Sequence, residues 1–287
     1  MTGASPAPAQ AGGQTNQRST RRSHLRRLTI LATVLGILAL AAVAYAASPL
    51  NTYTSKISFA AKAAGTAKKP VGVSFTQKYG AVGTSGNRSA LLEDIKTTIY
   101  GLKSNLNLKA FQKCSPATIL TSFASCPKGS EVASGSITAV VGSPTVFTPS
   151  DPSAFQCDPE LHAWNSGSGH LTFFFVDTAA HACGPLMTGS TPPFTATVKQ
   201  KGKNLVIDLP IPASITRPLG GSLAGSLETQ TLTYLKLSHK AKGKTLYGLE
   251  SVGCSKGKRP YSVAFTAALP NPSNSQTVTL KGSAPCK

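Results

Sequence analysis

Acidic residues are the scarcest resource of this chain. Ten Asp and Glu stand against twenty-nine Lys and Arg in 287 residues, for a formal net charge of +19. Charged residues make up 14 % of the sequence, against roughly a quarter in an ordinary globular protein. Glycoside hydrolysis needs two carboxylates flanking the scissile bond, and a single Trp leaves few aromatic platforms for a sugar. No Cys-x-x-Cys pair occurs, which removes the usual zinc spacing. Gly-x-Ser-x-Gly is absent, as are a phosphate loop and a dinucleotide fingerprint; Gly220 and Gly221 lie in a Pro/Gly-rich linker. Ser125 with Lys128, and Ser255 with Lys258, match Ser-x-x-Lys, but the companion Ser-Asp-Asn is missing. Aromatic residues do not interleave with the lysines, so no nucleic-acid partner is expected. No cofactor, metal ligand or catalytic residue is assigned from these patterns.

What is present begins at Leu28. Leu28 to Ala46 is an uncharged apolar run preceded by Arg18, Arg21, Arg22, Arg26 and Arg27, with no acid before it. A basic flank followed by an apolar run is an export signal. Ala44-Tyr45-Ala46 offers small residues where a signal peptidase cuts, which favours release before Ala47. The run is also long enough, at about 1.5 Å per residue, to approach the span of a bilayer core as a retained helix. Three segments follow: a disordered basic tail over 1–27, a signal or transmembrane segment over 28–46, and an exported domain over 47–287.

All six cysteines lie beyond Ala46. An even count confined to the exported part indicates three disulfides; fifteen pairings are open to six cysteines. Pairing of sequence neighbours is preferred: Cys114 with Cys126, Cys157 with Cys183, and Cys254 with Cys286.

Period-two alternation recurs along the exported part and predicts half-buried strands. It is clear at Tyr53, Ser55, Ile57 and Phe59, at Val71, Val73 and Phe75, and again at Leu205, Ile207 and Leu209. Leu171 to Asp177 is apolar on both faces and predicts a strand covered on both sides. Gly80 to Arg88 reads as a loop. Ser115 followed by Pro116 predicts the capped start of one short helix ending near Phe123. Four strands after Thr231 read as an antiparallel meander. The expected fold is mainly β: an antiparallel sandwich-like domain with one short helix and disulfides.

Cys114-Ser115-Pro116-Ala117, followed after a short gap by Cys126-Pro127-Lys128-Gly129-Ser130-Glu131-Val132 and Gly135-Ser136, resembles exported β-rich proteins of high-GC bacteria, a group without an established activity. The resemblance is most specific over 84–141, and looser through 157–183 and 253–265. It implies export and a β domain, and it carries over no catalytic residue.

Two clusters carry chemistry on paper. Asp158, Glu160, His162, His170, Asp177 and His181 crowd the stretch between the middle cysteines. They would suit a hydrolase or metal-dependent enzyme centred on His162, His170 and Asp177, although no Glu-x-x-His spacing occurs. Lys-Gly-Lys recurs in three predicted turns, presenting Lys201 and Lys203, Lys242 and Lys244, and Lys256 and Lys258, the last beside Arg259. Such tips suit an anionic envelope polymer or membrane surface; they equally keep turns and edges soluble. The sequence therefore favours a non-catalytic cell-envelope or secreted protein that binds or scaffolds, with the hydrolase as its alternative.

Overall fold

A computed structural model describes residues 49–60, 64–184, 191–241, 243–269 and 275–286. The tail over 1–27 and the apolar run over 28–46 lie outside the described residues. Among those described, no helix is long and apolar enough to cross a membrane.

The alternating segments form strands. In chain order they are β1 (Asn51–Phe59), β2 (Val71–Gly72), β3 (Phe75–Gly83), β4 (Leu91–Tyr100) and β5 (Leu102–Ser104). Helix α1 (Pro116–Ser122) comes next, then β6 (Glu131–Gly142), β7 (Phe155–Cys157), β8 (Glu160–Gly167), β9 (His170–Val176), β10 (Phe194–Lys201) and β11 (Asn204–Pro210). A single turn, α2 (Ala213–Thr216), separates these from β12 (Ala224–Tyr234), β13 (Ser238–Ala241), β14 (Lys244–Tyr247), β15 (Leu249–Ser251), β16 (Lys258–Ala268) and β17 (Gln276–Pro285).

Twelve strands belong to one antiparallel sheet, in the order β1-β3-β12-β6-β8-β9-β10-β11-β4-β16-β17. β7 pairs with β6 at Ala139–Val141, beyond where β8 pairs with it. Asp158 and Pro159 interrupt what would otherwise be one neighbouring strand; Pro159 has no N–H to give the ladder. The sheet curls until its two ends meet, with β1 against β17 and the Leu50 N–H donating to Gln276 Oε1 at 2.9 Å. The sandwich-like character thus comes from one sheet folded over a single interior. A small sheet of β2, β15 and β5 and the β13–β14 hairpin complete the domain.

Aromatic rings fill one part of the interior. Tyr53 stacks on Phe265 at 4.5 Å and Phe75 on Tyr234 at 4.5 Å, while Tyr79 meets Phe265 edge-on. Tyr79 shares a 2.7 Å hydrogen bond with Thr97, tying β3 to β4 across the core. Burial raises the Tyr79 and Tyr234 pKa values, so both phenols stay neutral.

β9 is covered on both sides, as its composition predicts. Leu171, Phe173 and Phe175 face the main interior; Phe174 packs outward with Trp164, Cys114 and Ile119 in a second, smaller core. Helix α1 supplies that cover. Ser115 caps it by accepting from the Thr118 N–H at 3.1 Å, Pro116 occupies its first turn, and the Cys114–Cys126 bridge closes the segment. The other two disulfides join Cys157 to Cys183 and Cys254 to Cys286, with no free cysteine among the described residues.

Two sequence expectations are corrected. β3 runs on to Gly83, so the loop expected from Gly80 starts at Thr84. The C-terminal strands are also not one meander. β12 inserts between β3 and β6, β13 to β15 leave the main sheet, and only β16 and β17 pair as a hairpin at its far end. Turn chemistry shows where a chain reverses; it does not show which distant edge the next strand will join.

Candidate ligand chamber and the basic end

The aromatic packing does not fill the whole interior. Inward residues of eight strands leave a chamber of about 110 Å³. Leu92 and Ile95 come from β4, Ile137, Ala139 and Val141 from β6, and Leu161, Phe175, Phe194, Leu209 and Leu227 from β8 to β12. The chamber is bounded at one end by the Cys157–Cys183 bridge, Ile211, Ile215 and Pro218. Of the twenty lining residues among those described, only Thr191, Thr216 and Gln230 have polar side chains, and none is charged. Curled antiparallel sheets characteristically hold small ligands in such interiors and mouths.

The sequence-predicted cluster between the middle cysteines is not assembled. His162 lies opposite Phe174 in the middle of the β8–β9 hairpin, His170 sits at its turn, and Asp177 lies beyond the other end of β9. Seven residue steps of extended chain separate His170 from Asp177, about 23 Å at 3.3 Å per step. His162 instead forms a local network: Nδ1 contacts Glu131 Oε1 at 2.7 Å, Nε2 contacts Glu160 Oε2 at 3.0 Å, and the ring stacks on Trp164. The hydrogen bond with Glu131 raises its pKa, helped by Glu160 and opposed by burial. No group of three or more His, Cys, Asp or Glu among the described residues is arranged to hold a metal.

Strand register creates a carboxyl pair that linear reading does not reveal. Asp208 on β11 lies opposite Lys96 on β4 and makes a 2.8 Å ion pair with it; Asp94 is two positions along. Burial, reinforced by the charge and hydrogen bond of Asp208, pushes the Asp94 pKa up to about 6, against the pull of Lys96.

The lysine turns divide. Lys201, Lys203, Lys256 and Lys258 are exposed and belong to one end of the domain. The Gly101 N–H donates to Lys203 O at 2.8 Å, the Val252 N–H donates to Gly101 O at 2.9 Å, and Cys254 leads into the turn at Ser255–Lys258. Gly101 needs its glycine: its φ is +69°, and a Cβ would collide with Gly253 O. Lys244 is exposed on the separate β13–β14 hairpin, and Lys242 lies outside the described residues.

Arg259 is a correction. It is fully buried and cannot touch a polymer. Its guanidinium lies 4.2 Å over the Phe59 ring and donates from one nitrogen to Ser251 Oγ and to Cys286 Sγ; Nε and the other terminal nitrogen have no partner. Burial lowers its pKa to about 10. Strand alternation explains the placement, since 259, 263 and 265 share the inward face of β16.

Comparison with protein-family models and with curated proteins finds no match for this chain.

Proposed function

We propose that the domain is a non-catalytic binding protein of the cell envelope or secreted fraction, and that its site is the apolar chamber. Three disulfides point to an oxidising, exported setting. Residues 28–46 deliver it there, as a cleaved signal or as an anchor. The observation that carries the reading is the lining: a recess walled, among the described residues, almost wholly by aliphatic and aromatic side chains, with no charge among them to serve as acid or base.

The test is titration with a small neutral apolar probe, benzene, followed by NMR, against the wild type and Ala139→Leu. The expected result is saturable one-site binding that weakens about tenfold when the larger side chain enters the chamber. Absence of saturable binding, or equal binding by both proteins, refutes the assignment.

A second reading concerns the basic end. Two of the three Lys-Gly-Lys turns project from it, which favours contact with an anionic envelope polymer or membrane surface. Exposed charges are screened over about 10 Å at 0.1 M salt, so retention on anionic wall material should fall steeply with salt and with joint Lys→Gln changes at 201, 203, 256 and 258. Salt-independent retention discards it.

A further inference from the structure

The Cys254–Cys286 bridge sits in unusual surroundings. Cys254 precedes β16 and Cys286 follows β17. Those strands pair continuously from Lys258 with Pro285 to Ala267 with Gln276, and the Cys286 N–H donates to Gly257 O at 3.0 Å. The ladder therefore keeps the two sulfurs together at one end of the hairpin whether or not they are joined. The two sides of the bridge are unlike. Cys286 is fully buried, whereas Cys254 is half-buried and forms part of the wall of an open cleft of about 460 Å³. Exposed Lys103 and Lys203 line the same cleft, against one carboxylate, the buried Glu250.

Arg259 touches the inner sulfur, with one terminal nitrogen 3.2 Å from Cys286 Sγ. Among the described residues no carboxylate pairs with this buried guanidinium, and two of its nitrogens are unbonded. A cystine sulfur is a weak, neutral acceptor, whereas a thiolate is an anion. Opening the bridge would give the buried cation the counter-charge that the oxidised protein lacks.

We propose that Cys254–Cys286 is a redox-active cystine that exchanges with an external dithiol. A donor thiolate, drawn by Lys103 and Lys203, enters the cleft and bonds to Cys254 Sγ. The Cys254–Cys286 bond breaks, and its electron pair leaves on Cys286 Sγ as a thiolate beside Arg259. The donor's second thiolate then attacks the donor sulfur of the mixed disulfide, closes the donor's own disulfide and releases Cys254. The donor gives up two electrons and two protons; the electrons reduce the cystine, Cys254 takes one proton and the other goes to solvent. A leaving sulfur of low thiol pKa departs faster, and an adjacent cation lowers that pKa. Cys114–Cys126 is the matched comparison. It also joins a buried to a half-buried cysteine, but its inner residue packs with Ile119, Trp164 and Phe174. Cys157 and Cys183 are both buried.

The experiment is timed reduction of the native, oxidised protein by dithiothreitol at pH 7.5 without denaturant, quenched with acid and read by differential alkylation and peptide mass. Cys254 and Cys286 are expected to open first, about tenfold faster than Cys114 and Cys126, with the β-sheet circular dichroism retained. Arg259→Met should slow that pair about tenfold and leave the other two bridges unchanged. With glutathione, a monothiol, the trapped adduct should sit on Cys254 with Cys286 free. Earlier or equal opening of Cys114–Cys126 in the wild type overturns the proposal, as does loss of the sheet signal when Cys254–Cys286 opens. Unchanged kinetics in Arg259→Met, or an adduct on Cys286, overturns the role given to the guanidinium. The wild-type order of opening and the adduct position need no variant, so they decide the matter even if Arg259→Met impairs folding.

Discussion

Replacing Cys157 and Cys183 together by Ala removes the cross-link that walls one end of the chamber. The bridge spans a sequence separation of 26 residues. In the loop-entropy model, a closed loop of that length contributes about 3.5 kcal/mol by restricting the unfolded chain. Both cysteines are buried, at 6 % exposure each, so losing two sulfur atoms adds a cavity cost of the same sign. For a domain of this size, 1 kcal/mol moves Tm by about 2–4 °C, and the double variant should melt about 7–14 °C lower. The assay is thermal unfolding followed by circular dichroism, without reductant, for wild type and variant. Removing the Cys114–Cys126 bridge in the same way is the internal control. That bridge lies in the small outer core, away from the chamber, so its loss should lower Tm and leave apolar-probe binding intact. Loss of Cys157–Cys183 should lower both. A shift below about 3 °C for the Cys157/Cys183 variant, equivalent to roughly 1 kcal/mol, with unchanged probe binding, would refute the claim that this bridge shapes the site.

Three further outcomes follow from the side-chain environments. His162 should titrate above 6.5, and Glu131→Gln should bring its pKa down, as read by NMR of the imidazole. Because the folded state holds that proton more tightly, the stabilisation is complete below about pH 6.5 and is lost as pH rises through the folded pKa; an unshifted titration contradicts the network. Asp94 carries the same sign of pH dependence. Its pKa rises from 3.8 to about 6 on folding, so stability falls as pH climbs through that window. Asp94→Asn should therefore raise Tm at pH 7.5 and change it little at pH 3.5, whereas equal effects at both pH values would discount the carboxyl pair. Arg259→Met replaces a buried, incompletely bonded cation by an apolar side chain of similar reach. It should be neutral or stabilising, and a large fall in Tm would mean that the guanidinium has a partner essential to the fold.

Features set by near neighbours were legible in the sequence. Ser115 and Pro116 mark the start of α1, Gly202 marks the β10–β11 turn, and the three disulfides join cysteines adjacent in the linear order. The double cover of β9 was also legible, because only a strand buried on both faces tolerates Phe173, Phe174 and Phe175 in succession. Features set by distant pairing were not. The position of β12 beside β3 joins residues about 150 apart. The chamber exists only once eight strands have curled around it, and Asp94 meets Asp208 only through the register of β4 with β11. Arg259 is intermediate. Its phase with Val263 and Phe265 pointed inward, but its place beside a lysine turn made it look like a surface charge.

The chamber as a ligand site is the central claim, and methyl NMR tests it most directly. The exported domain, labelled at Ile, Leu and Val methyls, is titrated with benzene. The account predicts saturable shifts at Leu92, Ile95, Ile137, Val141, Leu161 and Ile215, with methyls in the aromatic half of the core, such as Ile57 and Val73, unmoved. Shifts confined to exposed methyls such as Val82 and Leu108, or no saturable change at any of the chamber methyls, would contradict it.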